Sequence, residues 1–209
     1  MKKLLLVICL AFVSTAAFAQ VNVGIKAGFS MTTFIGDENA QAKPGFKLGV
    51  VSDIFVTDAV FIQPSLMLSA RGAKYKSGVL GLTSNNMSVN SLYIELPVLV
   101  GAKIWLDNYR RISLGAGPYI AYGVGGKTVY DGRIIGIGVI DRSTSTFGDL
   151  VNMNRFDAGI AAAAAFESGN FFIGLEAQMG LTKLSTSWAP LIDNNAKNMT
   201  ATIFVGFKF

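Results

Sequence analysis

Apolar and polar residues alternate along most of the chain after residue 20. A period of two is typical of a β-strand with one apolar face, because successive side chains point to opposite faces. No uninterrupted apolar run after residue 20 reaches the ~18 residues that a membrane-spanning helix needs. The pattern therefore predicts strands rather than spanning helices. The alternating segments are 21–32, 45–56, 60–75, 91–105, 111–126, 154–167, 171–184 and 198–209.

The final segment alternates up to the last residue, with Ile203, Val205, Phe207 and Phe209 on one face. A sheet that ends on such a strand has an open edge, and an open edge invites pairing with other chains. Closing the sheet into a barrel removes the edge. We therefore predict that this strand pairs with the strand that begins at Val21.

The connections between the segments alternate between short and long. Short turns are predicted at 57–59, 107–110 and 168–170, and long polar connections at about 33–44, 76–90, 127–153 and 185–197. Bacterial outer-membrane barrels have an even number of strands, short periplasmic turns and longer outer loops. The sequence thus predicts an all-β fold, an eight-stranded antiparallel up-and-down transmembrane β-barrel, with both termini in the periplasm.

Two segments complicate the strand count. Residues 134–140 also look like a strand, and we interpret them as a hairpin-like excursion within the third outer loop. The run from Ala161 to Ala165 has high helix propensity. Its flanking residues keep the period of two, and five residues are too few for a stable helix, so a strand is favoured.

Aromatic residues are concentrated near the predicted strand ends. Such a distribution is typical of the two aromatic girdles at the membrane interfaces of a barrel. The members are Phe29, Phe46, Tyr122 and Phe156 toward the loops, and Phe166, Phe171, Phe207 and Phe209 toward the turns.

The N-terminus has the features of a secretory signal peptide. Lys2 and Lys3 precede an apolar run from Leu4 to Val13, and Ala17-Phe18-Ala19 follows. We predict cleavage before Gln20, which gives a signal peptide over 1–19 and a barrel domain over 20–209. Cleavage would remove Cys9, the only cysteine, and leave a mature chain without disulfides.

The composition agrees with a membrane location. Charged residues make up 15% of the chain, against about 25% in soluble domains. Without Lys2 and Lys3, 16 of the 18 basic residues remain against 13 acidic ones. This small and scattered excess of positive charge does not indicate a nucleic-acid partner. The predicted location is the outer membrane of a Gram-negative cell, with membrane lipid as the surroundings of the barrel.

The sequence contains little that indicates catalysis or cofactor binding. It has no histidine, the commonest general acid–base residue and a frequent metal ligand. Residues 121–128 resemble a phosphate-binding loop, but no helical pattern follows, and that motif needs a helix N-terminus. We therefore predict a non-enzymatic protein without catalytic, cofactor-binding or metal-binding residues.

Charged residues at inward-facing strand positions form the candidate site. An eight-stranded barrel has an interior just wide enough for side chains, and buried charges are costly unless they are paired. The sequence favours an ion-pair network that plugs the lumen. A polar path for a small ion or ligand remains the alternative. The predicted members are Lys26, Lys47, Asp53, Arg71, Glu95, Lys103, Asp157 and Glu176.

Five segments follow one another along the chain: Gly24–Ser30, Leu92–Pro97, Gly115–Tyr119, Phe156–Gly159 and Gly206–Phe209. In this order and spacing they resemble the PorT-like outer-membrane β-barrel protein family. The resemblance runs from about residue 21 to the end. It departs after Gln63-Pro64, where Ser65 stands in place of the glutamate that the family commonly has, so one lumen partner of the family is missing.

The resemblance implies insertion by the barrel-assembly machinery, with Phe207 and Phe209 similar to the C-terminal assembly signal of outer-membrane proteins. The founding member is associated with protein secretion and gliding machinery, but a shared fold does not imply a shared activity. We expect any specific role, such as binding a protein partner, to lie in the outer loops, chiefly 127–153.

Overall fold

The computed structural model describes residues 21–36, 40–79, 83–134, 138–147, 153–184 and 196–209. The predicted signal peptide lies outside these residues. Within them no helix is long and apolar enough to cross a membrane. The strands are β1 (Val21–Ile35), β2 (Ala40–Phe55), β3 (Val60–Val79), β4 (Thr83–Trp105), β5 (Arg110–Gly125), β6 (Lys127–Ile134), β7 (Gly138–Ser145), β8 (Phe156–Ser168), β9 (Phe171–Gly180) and β10 (Lys197–Lys208).

Eight of these strands close into an antiparallel barrel in the order β1-β2-β3-β4-β5-β8-β9-β10. The closing pair is β1 with β10, in register from Gly24 opposite Lys208 to Ile35 opposite Lys197. Beyond it, the Phe209 amide donates a hydrogen bond of 2.8 Å to the Val23 carbonyl. The predicted eight-stranded barrel and the pairing of its first and last strands are confirmed.

Short turns join the strands at one end of the barrel, which we call the inner end. They cover residues 56–59, 106–109 and 169–170. In the second turn, the backbone amides of Tyr109 and Arg110 donate to Asp107 Oδ1 over 2.9 and 2.7 Å. These bonds lower the pKa of the Asp107 carboxyl, the Tyr109 amide having the largest effect. The third turn places Gly169 at a φ of +58°, a conformation that glycine adopts without strain.

The two faces of the barrel wall have opposite polarity. Inward positions are mostly buried, as in the alternating exposure of β10, while outward positions expose apolar side chains. Large aromatics lie on the outer wall near both ends of the strands. Phe29 and Tyr122 are 57% and 55% exposed toward the loops, and Phe171 and Phe209 are 68% and 74% exposed toward the turns. An apolar band between two aromatic belts suits the wall to lipid.

The strands are longer at the outer end than the sequence predicted. Segments 33–44 and 76–90 were expected to be polar connections, but most of their residues belong to strands. β3 and β4 remain paired up to Val79 opposite Thr83, leaving only 80–82 outside the described residues. The polarity of these segments marks the passage from lipid to water, and the backbone ladder continues through it.

The predicted hairpin within the third outer loop is confirmed. β6 and β7 pair along their whole length, and β6 pairs with the outer part of β4, from Val89 opposite Thr128 to Thr83 opposite Ile134. The segment 134–140 is not one continuous strand, because β6 ends at Ile134, β7 begins at Gly138, and 135–137 lie outside the described residues. The outer part of β3, the outer part of β4, β6 and β7 form a four-stranded extension of the wall, which we call the projecting sheet. Most of the fourth loop, 185–195, also lies outside the described residues.

The C-terminal aromatics lead to the first prediction. The Phe207 ring lies 4.9 Å from the Phe171 ring and 5.4 Å from the Phe209 ring, between centroids, on the outer wall where the barrel closes. Phe207→Asp, or deletion of Phe209, should reduce the membrane-inserted fraction, because a charge or a lost ring weakens the lipid-facing seam. The readout is membrane fractionation with heat-modifiable gel mobility. Phe207→Tyr, which keeps the ring, is the matched control and should insert normally. Normal insertion of Phe207→Asp would contradict an assembly role for this residue.

Candidate functional site in the barrel lumen

All eight charged residues predicted for the lumen are buried there. Strand alternation places them on the inner wall, and their ion pairs divide them into two groups. The first group lies from the middle of the barrel toward the outer end, and the second lies near the turns of the inner end. Each group draws its members from strands that are far apart in the sequence.

The first group is a continuous series of ion pairs, which we call the outer charge chain. Its six members are three cations and three carboxylates, and their side chains are at most 3% exposed. The pairs are Lys26–Glu176 at 2.6 Å, Glu176–Lys47 at 2.5 Å, Lys47–Glu95 at 2.8 Å, Glu95–Arg71 at 2.5 Å and Arg71–Asp157 at 2.8 Å.

Neutral side chains complete the hydrogen bonding of the outer charge chain. Asp157 accepts from the Tyr119 hydroxyl at 3.1 Å, Asn198 Nδ2 at 3.0 Å and the Thr182 hydroxyl at 2.7 Å. Gln178 bridges its neighbours, accepting from Arg71 at 2.9 Å and donating to Glu95 at 3.3 Å. Such partners are what makes a buried charge tolerable.

The second group, which we call the inner charge cluster, surrounds Asp53 and Glu167. Lys208 Nζ lies 2.6 Å from Asp53 and 2.8 Å from Glu167, and Lys103 pairs with the same two carboxylates. Arg111 adds a contact of 2.5 Å to Glu167, with 14% of its side chain exposed. The cluster therefore holds three cations and two carboxylates.

Sequence reasoning missed three members of this cluster: Glu167, Lys208 and Arg111. The signal for the first two was present in the alternation, since Glu167 shares the face of Asp157 and Lys208 shares the face of Phe204. Both lie at strand ends next to turns, where a sequence pattern does not show whether a side chain is inside the barrel. Arg111 lies at such an end as well.

An aromatic layer separates the two groups of charges. The centroids of the Phe172 and Phe204 rings are 6.0 Å apart, and the ring planes are inclined at 63°. Lys26 Nζ lies 4.3 Å from the Phe204 centroid on one side, and Lys208 Nζ lies 4.9 Å from the Phe172 centroid on the other. Gly206 makes room for this layer, because a Cβ at that position would overlap the Phe172 ring.

The free space in this part of the lumen is small. A cavity of about 20 Å³ lies between the groups, lined by Lys26 from the outer chain and by Glu167 and Lys208 from the inner cluster. A volume of this size holds about one water molecule. Toward the outer mouth, the lumen is filled by a buried apolar cluster that includes Phe34, Val89, Met153, Leu184 and Ala196.

The charged side chains of the lumen neutralise one another. Every charge of the two groups contacts an opposite charge. Among the described side chains, no group of three or more potential metal ligands comes together.

A closed barrel with a polar interior, an apolar outer wall and aromatic belts at both ends is a transmembrane β-barrel. The chain belongs to the outer membrane protein β-barrel domain family, whose family model matches residues 18–186. The protein is therefore an integral outer-membrane barrel.

Several solved structures are similar to this chain at low sequence identity. Ail, the attachment invasion locus protein of Yersinia pestis, is 14% identical, with 90% of this chain and 98% of that chain covered and a TM-score of 0.39. OprG from Pseudomonas aeruginosa is 12% identical, with 91% and 97% covered and a TM-score of 0.42. Neisserial surface protein A is 11% identical, with 90% and 97% covered and a TM-score of 0.42. No curated protein matches the chain.

The outer charge chain leads to the second prediction. Glu176 is the shared partner of Lys26 and Lys47, so Glu176→Gln leaves two buried cations short of negative charge. The free energy of unfolding should fall by about 3–5 kcal/mol. Urea unfolding in lipid vesicles, followed by tryptophan fluorescence, measures the loss.

Asp107→Asn is the control, because it weakens a solvent-exposed ion pair with Arg110 and should leave the free energy of unfolding nearly unchanged. Adding Lys26→Met to Glu176→Gln should recover part of the lost stability, since it removes one of the stranded cations. Equal stability of Glu176→Gln and the wild type would show that the pairs do not stabilise the fold.

Proposed function

We propose that the protein is a non-enzymatic outer-membrane barrel whose lumen is sealed and whose specific role lies in its outer loops. The observation that carries this proposal is the filling of the lumen. The two groups of paired charges and the aromatic layer leave a cavity of about 20 Å³ in the middle of the barrel. In an eight-stranded barrel the side chains themselves suffice to fill the interior.

The paired charges support a plug rather than a polar path. A conducted ion would have to pass the Phe172 and Phe204 rings and compete with pairs that are buried and 2.5 to 2.8 Å long in the outer charge chain. Separating such pairs costs several kcal/mol each. A resting pathway through this lumen is therefore energetically unfavourable.

The proposed orientation puts the inner end, with the short turns, in the periplasm and the projecting sheet outside the cell. This follows the arrangement of bacterial barrels, with short periplasmic turns and longer outer segments. The projecting sheet then becomes the surface most accessible to a protein partner. β7 is the edge strand of this sheet, because among the described residues its only strand neighbour is β6. A role as an accessory of a secretion machinery, suggested by the PorT-like resemblance, would act through this surface.

Planar-bilayer recording supplies the third prediction. The purified wild-type barrel should give no steady openings, because the lumen is filled. The double variant Phe172→Ala, Phe204→Ala should also give no steady openings, because both charge groups remain paired in the lumen. Steady ion-selective openings of the wild type that disappear in Glu95→Ala or Arg71→Ala would overturn the plug and identify a channel. Each variant is first checked for heat-modifiable mobility, so that loss of folding is not mistaken for loss of conduction.

Site-specific crosslinking supplies the fourth prediction. A photoreactive amino acid at Ser145, which is exposed at the base of the projecting sheet opposite Lys127, should capture a discrete protein partner in intact cells if the projecting sheet is a binding surface. The matched control places the same probe at Asp107 in an inner-end turn. A partner captured equally from both positions, or from neither, would contradict a specific role for the outer surface.

A further inference from the structure

A cluster of lysines lies on the outer wall of the barrel, on the side opposite to the lumen. Lys43 crosses the outer face of β3 at Gly72, where an added Cβ would come within 3.3 Å of its Cδ. Its ammonium group donates to Ser88 Oγ at 2.7 Å and the Val89 carbonyl at 3.2 Å, and it contacts Asn90 Oδ1. These three neutral acceptors fix the position of the charge on β4.

Strand register brings two further lysines to the same place. Lys74 of β3 is opposite Ser88, one of the residues that Lys43 contacts. Asn90 Nδ2 donates to the Lys127 carbonyl at 2.9 Å, which holds the start of β6 beside Lys43. Neighbouring strands are about 4.8 Å apart, so the three lysines share one small area of wall. We call Lys43, Lys74 and Lys127 the lysine patch.

The lysine patch has no carboxylate partner among the described side chains. Lys43 is half-buried and held by neutral oxygens only, while Lys74 and Lys127 are exposed. Every other charged side chain described on the outer rim beyond the aromatic belt is also a cation: Arg155, Lys183 and Lys197. This contrasts with the lumen, where each charge is neutralised.

The position of the lysine patch relative to lipid is fixed by the residues below it. Phe46 lies three residues from Lys43 toward the inner end of β2 and is 45% exposed. Val124 lies three residues from Lys127, also toward the inner end, and is 44% exposed on the outer wall. At about 3.3 Å per residue, the lysines lie roughly 10 Å beyond this apolar surface. That is the level at which lipid headgroups surround a barrel.

We propose that the lysine patch binds the phosphate of an anionic lipid headgroup in the surrounding leaflet. Lys43 supplies a charge of fixed position, since its three N–H groups are already engaged by the wall. Lys74 and Lys127 supply free ammonium donors to the phosphate oxygens. A lipid fits this surface better than a soluble anion, because the acyl chains of the same molecule would cover Phe46 and Val124 directly below.

The test uses the refolded barrel in maltoside detergent and native mass spectrometry to count bound lipid. The probes are diphosphorylated lipid A, its dephosphorylated form and inorganic phosphate. The wild type should retain the phosphorylated lipid. The triple variant Lys43→Gln, Lys74→Gln, Lys127→Gln should bind it roughly a hundredfold more weakly, from the loss of three cations near the headgroup. All proteins are checked for folding by heat-modifiable mobility.

A charge-matched control removes three cations elsewhere, with Arg110→Gln, Lys183→Gln and Lys197→Gln. It should keep its affinity within about threefold if the binding is local. Retention of the dephosphorylated lipid at equal affinity would overturn recognition of phosphate. Equal affinity for inorganic phosphate would overturn a lipid as the ligand, and equal loss in the control would overturn a local site.

Discussion

The pairing of buried charges across the lumen is the constraint on which the rest of the structure depends. Lys26 and Glu176 are 150 residues apart in sequence, and Lys208 and Asp53 are 155 apart, yet both pairs lie 2.6 Å apart in the barrel. A slip of one strand by one residue would turn its inward charges toward lipid and strand their partners. Because an unpaired buried charge costs several kcal/mol, the charges penalise wrong registers as well as an open barrel. Closure, register and lumen filling are thus one requirement expressed in three ways.

Local alternation was sufficient to predict the strands, their inward faces and the closing pair, because each depends on side-chain direction within a single strand. The grouping of the charges could not be obtained in this way. Strand tilt and stagger decide which inward residues meet at one level, and these are properties of the whole barrel. Lys26 and Glu176 therefore joined Lys47 and Glu95 in the outer charge chain, whereas Asp53 and Lys103 met Lys208 at the inner end.

The prediction of polar outer loops over 33–44 and 76–90 was wrong for a different reason. On β3 and β4 the polarity of the wall reverses beyond the aromatic belt: Ala73 and Val89 are buried inside, while Lys74 and Asn90 lie on the outer wall. In the membrane the same strands have Arg71 and Glu95 inside and Ile94 outside. Alternation continues through the reversal, but its apolar face changes sides. Hydropathy alone therefore predicts that the strands end at this point, although the backbone pairing of β3 with β4 continues beyond it.

The reversal coincides with irregularities in the ladder that re-aim side chains. Lys43 and Lys47 are four residues apart and would share a face in a regular strand. The register between β2 and β3 shifts between Ala42 and Lys47, and the register between β4 and β5 shifts at Leu92 and Tyr93. A bulge of this kind turns a side chain to the other face. Lys47 then points into the lumen, where it pairs with Glu95 and Glu176. Lys43 points to the outer wall, where its acceptors are neutral. One local irregularity thus separates a neutralised charge from one without a carboxylate partner among the described side chains.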